Sequence, residues 1–180
     1  MRVTNNGRVD LPVHAPIAFL GRPRLDPNTP WDRPTVVEWC QLLLDSYRHW
    51  IGRELIGRTA DPVGQARALF AAPFVVVSHG VETDPILNYG NLIALELWQM
   101  TWDELITTPS RHTAEAVNRA EREWMLEQAR SQGHIMNYRG VRISKAGRRF
   151  LVDNAVVWNV IDTTGRRFGQ AASFSHWRFL

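Results

Sequence analysis

Apolar positions between Pro34 and Trp50 recur at alternating spacings of four and three: Val36, Cys40, Leu43, Tyr47 and Trp50, flanked by Trp39 and Leu44. That stripe predicts a long amphipathic helix, with Asp32 as its N-cap and Pro34 near its first turn. Gly52 and Gly57 interrupt the pattern. Asp61-Pro62 opens a short helix facing inward through Ala66, Leu69 and Phe70, and Ala72-Pro73 ends it. The β-branched run Phe74–His79 reads as a strand, followed by Gly80. Ile86-Leu87 forms a second strand. Beyond it Asn88 and Asn91 bracket Tyr89-Gly90, and either can cap the next helix, which carries Leu92, Leu95 and Trp98. Thr101 and Glu104 form a capping box for one more turn.

The periodicity then predicts a helix over Thr113–Gln132, with Val117, Ala120, Trp124 and Met125 inward and a charged outer face, stopped by Gly133. The remainder alternates as β: His134–Ser144, a turn at Lys145-Ala146-Gly147, Arg149–Ile161, a hairpin turn at Asp162–Gly165, and Phe168–Phe179. Three sequential strands with short turns make an antiparallel meander. Phe150, Val152, Asn154, Val156, Trp158 and Val160 share one parity on the middle strand.

Several segments together resemble the MEKHLA domain family, a PAS-like family. They are ALFAAPFVVVSHG, DPILNYGN, ALELWQMTWDEL, PSR, YRGVRIS, GRRF, VWNVID and GQAASFSHWRFL, running in the family's order from about Ala66 to Leu180. The resemblance implies an α+β fold: a PAS-like five-stranded antiparallel sheet in the order 2-1-5-4-3, with helices over one face and an added N-terminal helix. The domain reading is an irregular Pro-rich arm over 1–33, a flanking helix over 34–60 and the PAS-like MEKHLA domain over 61–180. Five of the ten prolines lie in the arm.

Composition changes this picture little. Hydrophobic residues make up 44% of 180 and eight are Trp, enough for a packed core. Trp39, Trp50, Trp98, Trp124 and Trp158 fit core stripes. The single Cys40 excludes an internal disulfide and multi-cysteine metal clusters, and reads as a buried thiol. It lies outside the PAS-like region, which argues against light sensing through a flavin-attached cysteine. No run reaches the ~18 apolar residues of a membrane span, and no signal-peptide pattern is present, so a cytoplasmic protein without membrane contact is expected. Residues 61–133 hold five Arg against ten acids, and 134–180 hold eight basic residues against two acids. Without a nucleic-acid-binding motif, that excess is read as a solvated sheet face, not a nucleic-acid surface.

Walker, Rossmann, G-x-S-x-G and H-E-x-x-H signatures are absent. On the last strand Gly169, Ala171, Ser173 and Ser175 form a small-residue row that leaves room under covering helices, and Asn154 and Trp158 supply polar atoms on the neighbouring strand. The candidate binding residues are His79, Asn88, Tyr89, Asn91, Tyr138, Arg142, Asn154, Trp158, Ser173 and Ser175. Arg142 with Tyr138 suits a carboxylate or phosphate. His79 and His176, with Glu82 or Asp84, make a weak metal set, and His112 or His134 a haem ligand; no spacing singles either out, so the cofactor is left unassigned.

Three functions are consistent with these observations. The leading one is a sensing module that binds a small molecule between sheet and helices. The second is a small enzyme with His79 or His176 as general base and Arg142 as anchor. The third is a ligand-free interaction module. The N-terminal helix stripe is read first as packing on its own domain and second as a homodimer contact.

Overall fold

The computed structural model describes residues 30–59, 61–115 and 118–180. The arm expected over 1–33 falls almost wholly outside the described residues. Pro30–Asp32 form a 3-10 turn, so Asp32 is not the cap of the first helix. Helix α1 spans Pro34–Ile51 behind Arg33, which makes no side-chain cap bond, and ends at Gly52 in the left-handed conformation (φ 76°). Helix α2 (Pro62–Phe70) is capped as expected, Asp61 accepting from Val63 and Gly64 N–H.

Strands β1 (Val75–His79), β2 (Leu87–Gly90), β3 (His134–Ile143), β4 (Arg149–Ile161) and β5 (Arg167–Phe174) form an antiparallel sheet in the order β2-β1-β5-β4-β3. This is the PAS-like α+β arrangement. A sixth strand, β6 (His176–Phe179), pairs with β4 beyond the end of β5. The expected Phe168–Phe179 strand is therefore broken at Ser175. Helices α3 (Leu92–Trp98), α4 (Trp102–Leu105) and α5 (Arg119–Gln132) follow the first hairpin and precede the meander.

Two short local networks hold the β1–α4 region. Asn91 is fully buried, and its Oδ1 accepts from Val76 and Ala94 N–H while Nδ2 donates to Phe74 O at 2.6 Å. One side chain thus caps α3 and ties it to the β1 entry. The Thr101–Glu104 capping box forms in both directions.

The sheet has two covered faces. On one, α1 and α2 bury Val36, Cys40, Leu43, Leu44 and Tyr47 against Val76, Tyr89, Trp158, Val160 and Ala171. The α1 stripe that could have served a homodimer is thus already buried within its own chain. On the other face, α3 and α5 cover Val75, Phe150, Val152, Ala155, Val157 and Phe174. Phe150 and Val152 lie on this face with Ala155 and Val157, so the parity of β4 reverses between them. The cause is Asn154, whose backbone is left-handed (φ 53°). Asn137 does the same on β3 (φ 58°), where the β3–β4 register shifts on both sides of Tyr138. The single even row expected from Phe150 to Val160 is therefore two half-rows on opposite faces.

Helix α5 also differs from expectation. Ser110–Thr113 form a 3-10 turn, and the α-helix begins only at Arg119. Ala116 and Val117 lie outside the described residues. Ala120 is exposed and Trp124 is 66% exposed; the inward face is Arg122, Met125 and Ala129. Those three recur at i, i+3 and i+7, the spacing of one helix face, and Trp124 is about 100° away from Met125. Among the described residues no helix is long and apolar enough to cross a membrane.

Candidate functional site

The parity reversals decide what lines the space under α5. On β1, Val77 and His79 face it; on β5, Gln170, Ala172 and Phe174; on β4, Val152, Ala155 and Val157. Strand β3 adds Tyr138 and Arg142, α5 adds Arg122, Met125 and Leu126, and Trp98 and Thr113 close the ends. Ala155 and Ala172 are the small residues that leave a free volume of about 60 Å³. A small-residue row does open a cavity, but it is not the odd row Gly169, Ala171, Ser173 and Ser175. Ala171 borders the cavity but packs in the α1-side core, and a Cβ on Gly169 would meet the His79 carbonyl oxygen first and the Trp39 ring at 3.3 Å. On that face small residues admit α1 closely and leave no room.

Of the ten candidate binding residues, the structure brings three together here: His79, Tyr138 and Arg142. Tyr89 and Trp158 are fully buried on the α1 side, where Trp158 meets Tyr47 edge-on at 5.0 Å. Asn88 Oδ1 accepts from Ser78 Oγ (2.7 Å), which in turn accepts from Trp39 Nε1 (2.9 Å), placing it beside α1 as well. Asn91 is consumed by backbone capping. Ser173 pairs with Val76 and Val156 on the α1 side, while Asn154 and Ser175 are exposed.

The histidines do not converge. His79 pairs with Gln170, six positions from His176, a separation of roughly 20 Å along the strands. His176 is exposed and contacts only Ser175 Oγ (3.0 Å). The metal pair is broken by this register, and of the two candidate general bases only His79 lines the cavity with Arg142. No cluster of three metal-ligating side chains occurs among the described residues. His112 is exposed, and His134 lies half-buried beside Trp50, away from the cavity lining.

What the cavity does assemble is positive charge. Arg122 and Arg142 are each 8% exposed, and no carboxylate bridges either among the described residues. Arg142 donates from Nη2 to Tyr138 Oη (2.9 Å) and from Nη1 to Val141 O (2.9 Å), and its guanidinium lies 5.1 Å from the tyrosine ring centre. Burial first, and then repulsion from Arg142, pushes Arg122 down from 12.5 to about 10. Burial likewise takes His79 down to about 4, with Arg122 and Arg167 adding repulsion, so its ring is neutral at pH 7. Gln170 completes the polar wall, its Nε2 donating to Leu126 O and Asn159 Oδ1, both at 3.0 Å.

Asn159 connects this wall to the far face. Its Nδ2 donates to Arg130 O (3.0 Å) and its backbone carbonyl accepts from Trp50 Nε1 of α1 (2.9 Å). A hydrogen-bonded line thus runs from the cavity, through one β4 residue, to the end of the N-terminal helix.

A family model, the MEKHLA domain, matches residues 37–179. The chain belongs to the MEKHLA domain family. No curated protein matches it. Among solved structures, a PAS domain from Colwellia psychrerythraea is similar over 65% of this chain and 94% of that one (TM-score 0.54, 12% identity). A light-oxygen-voltage domain studied with a flavin analogue matches 65% of this chain and 84% of that one (TM-score 0.52, 13% identity). An RNA-binding light-oxygen-voltage receptor matches 66% of this chain but 34% of its own length (TM-score 0.56, 17% identity). At these identities the likeness establishes the MEKHLA domain's fold as PAS-like and carries no ligand with it. A flavin in particular does not fit: a cavity of about 60 Å³ is well below the roughly 300 Å³ at which drug-sized pockets begin. The one cysteine, Cys40, lies across the sheet on α1, its thiol pushed up to about 12 by burial.

Arg122 and Gln170 were absent from the sequence-derived set. Arg122 sits in a charged run that reads as a solvated face, yet it is three positions before Met125 and seven before Ala129, which places it inward.

Proposed function

We propose that this MEKHLA domain is a sensing module whose input is a small anion held between the sheet and α5 by Arg122 and Arg142. The supporting observation is the pair of buried guanidinium groups without a carboxylate. Two like charges in a desolvated wall disfavour the empty state, and an anion relieves both the burial and the mutual repulsion. A bound carboxylate or phosphate takes charge-assisted hydrogen bonds from the N–H groups that Arg142 does not use on Tyr138 and Val141.

Binding is read out by the shift it imposes on α5, relayed through Gln170 and Asn159 to Trp50 and the end of α1. The enzyme reading is disfavoured by the chemistry of its base. His79 at about 4 is too weakly basic for proton abstraction near neutral pH. The buried Cys40 thiol is consistent with the cytoplasmic location expected from the sequence.

A thermal-shift titration with sodium acetate, sodium propionate and inorganic phosphate, each against matched sodium chloride, tests the proposal. Saturable stabilisation by at least one of these small oxyanions in the natural protein, lost in Arg142→Met, is expected. Identical titrations in both proteins would refute it.

A further inference from the structure

The two arginines account for one wall of the cavity and leave the opposite wall unexplained. The chemistry of that second wall narrows the class of anion, and the narrowing rests on the anion reading of the arginine pair. His79 is 7% exposed, and its Nδ1 lies 2.8 Å from Gly80 O. A carbonyl oxygen only accepts, so Nδ1 carries the proton and Nε2 is a bare lone pair. That atom is buried and has no protein donor among the described residues. Gln170, the cross-strand partner of His79, has the same polarity. With its Nε2 engaged on Leu126 and Asn159, its carbonyl oxygen is left without a donor among the described residues.

The cavity is therefore polarised. Donors that can only donate line the α5–β3 side, and unfilled acceptors line the β1–β5 side. A plain carboxylate matches the first wall and strands the lone pair on the second. A buried acceptor left unmatched in this way is what lets a site discriminate by a single hydroxyl. The free volume of about 60 Å³ has room for a ligand of roughly four to six heavy atoms, at 10–15 Å³ per water-sized group.

We propose that the site takes a short hydroxycarboxylate, its carboxylate on Arg122 and Arg142 and its hydroxyl donating to His79 Nε2. An amino acid also offers a donor, but its ammonium group would sit beside two unpaired arginines and is repelled. A keto acid presents a second acceptor to the histidine lone pair and is rejected for the opposite reason.

The test is calorimetric titration of glycolate and lactate against their deoxy counterparts, acetate and propionate, with pyruvate as the keto acid. The hydroxy acids should bind on the order of tenfold tighter than the deoxy acids, and pyruvate no tighter than propionate. His79→Leu should bring the hydroxy-to-deoxy ratio close to one while keeping weak carboxylate binding. Histidine nitrogen NMR of the natural protein needs no variant: Nδ1 should be protonated and Nε2 bare, with Nε2 shifting on addition of lactate but not of propionate. Equal affinity for each hydroxy and deoxy pair, or a proton on Nε2 in the free protein, overturns the hydroxyl assignment and leaves the anion site standing. Absence of binding by every acid overturns the hydroxycarboxylate assignment, and absence of any response to inorganic phosphate as well overturns the anion site.

Discussion

Arg122→Met removes a buried charge while keeping an unbranched apolar stem in the pocket wall. The drop of the Arg122 pKa from 12.5 to about 10 corresponds to roughly 3 kcal/mol of penalty on its charged form, at about 1.4 kcal/mol per pH unit. Methionine carries none of that penalty and keeps an unbranched side chain in the lining that Met125 and Leu126 share. Allowing for hydration that the arginine retains at its partly open end, the anion-free protein should gain about 1–3 kcal/mol. For a chain of this size that raises Tm by roughly 3–10 °C. The assay is differential scanning calorimetry in a zwitterionic buffer, with and without added lactate. The variant should be more stable than the natural protein without lactate and unresponsive to it, a stability–function exchange of the kind binding sites show. A variant destabilised by more than about 1 kcal/mol would mean that Arg122 is held by a structural partner, and the reasoning that makes it a ligand anchor would fail.

Trp158→Ala should cost about 3–5 kcal/mol in chemical denaturation and leave carboxylate affinity unchanged, because the indole is fully buried on the α1 side; lost affinity at retained stability would contradict its placement. His79 should make stability pH-dependent. The folded state holds the ring neutral down to about pH 4, whereas the unfolded chain protonates near 6.5, so the stability this ring confers is complete above pH 6.5 and falls away between there and pH 4. The loss approaches about 3 kcal/mol, and comparison of denaturation curves with His79→Leu should remove most of the slope in that window. At Asn154, whose φ is 53°, Gly should be within about 0.5 kcal/mol of neutral and Val should cost about 1–2 kcal/mol; equal stabilities would argue against the parity reversal there.

Much of this fold was legible because its determinants are local. The Asp61, Asn91 and Thr101–Glu104 caps are side-chain-to-backbone bonds spanning two or three residues, and the α1 stripe needs only helical periodicity. The family resemblance supplied the strand order that local pattern cannot. The site was legible only in part, because strand parity reverses where a single backbone turns left-handed. Asn154 follows Asp153 between the apolar runs Phe150–Val152 and Ala155–Trp158, and both are poor strand formers. That pair was the available signal for a bulge; without it, Trp158 and the odd row of β5 are assigned to the wrong face. Arg122 was hidden differently, since a charged residue flanked by Glu121 and Glu123 looks solvated until Met125 and Ala129 fix the inward face. Trp124 was misplaced by the same step, its size outweighing its angle on the helix.

The most direct test of the anion pocket is two-dimensional NMR of the arginine side chains and tryptophan indoles during a lactate titration. Saturable, single-site shifts are expected for the Arg122 and Arg142 Nε–H signals and the Trp98 indole, all lining the cavity, with the Trp158 indole across the sheet the least affected. Shifts confined to the α1 face, or no saturable shift of either arginine, would contradict the anion pocket.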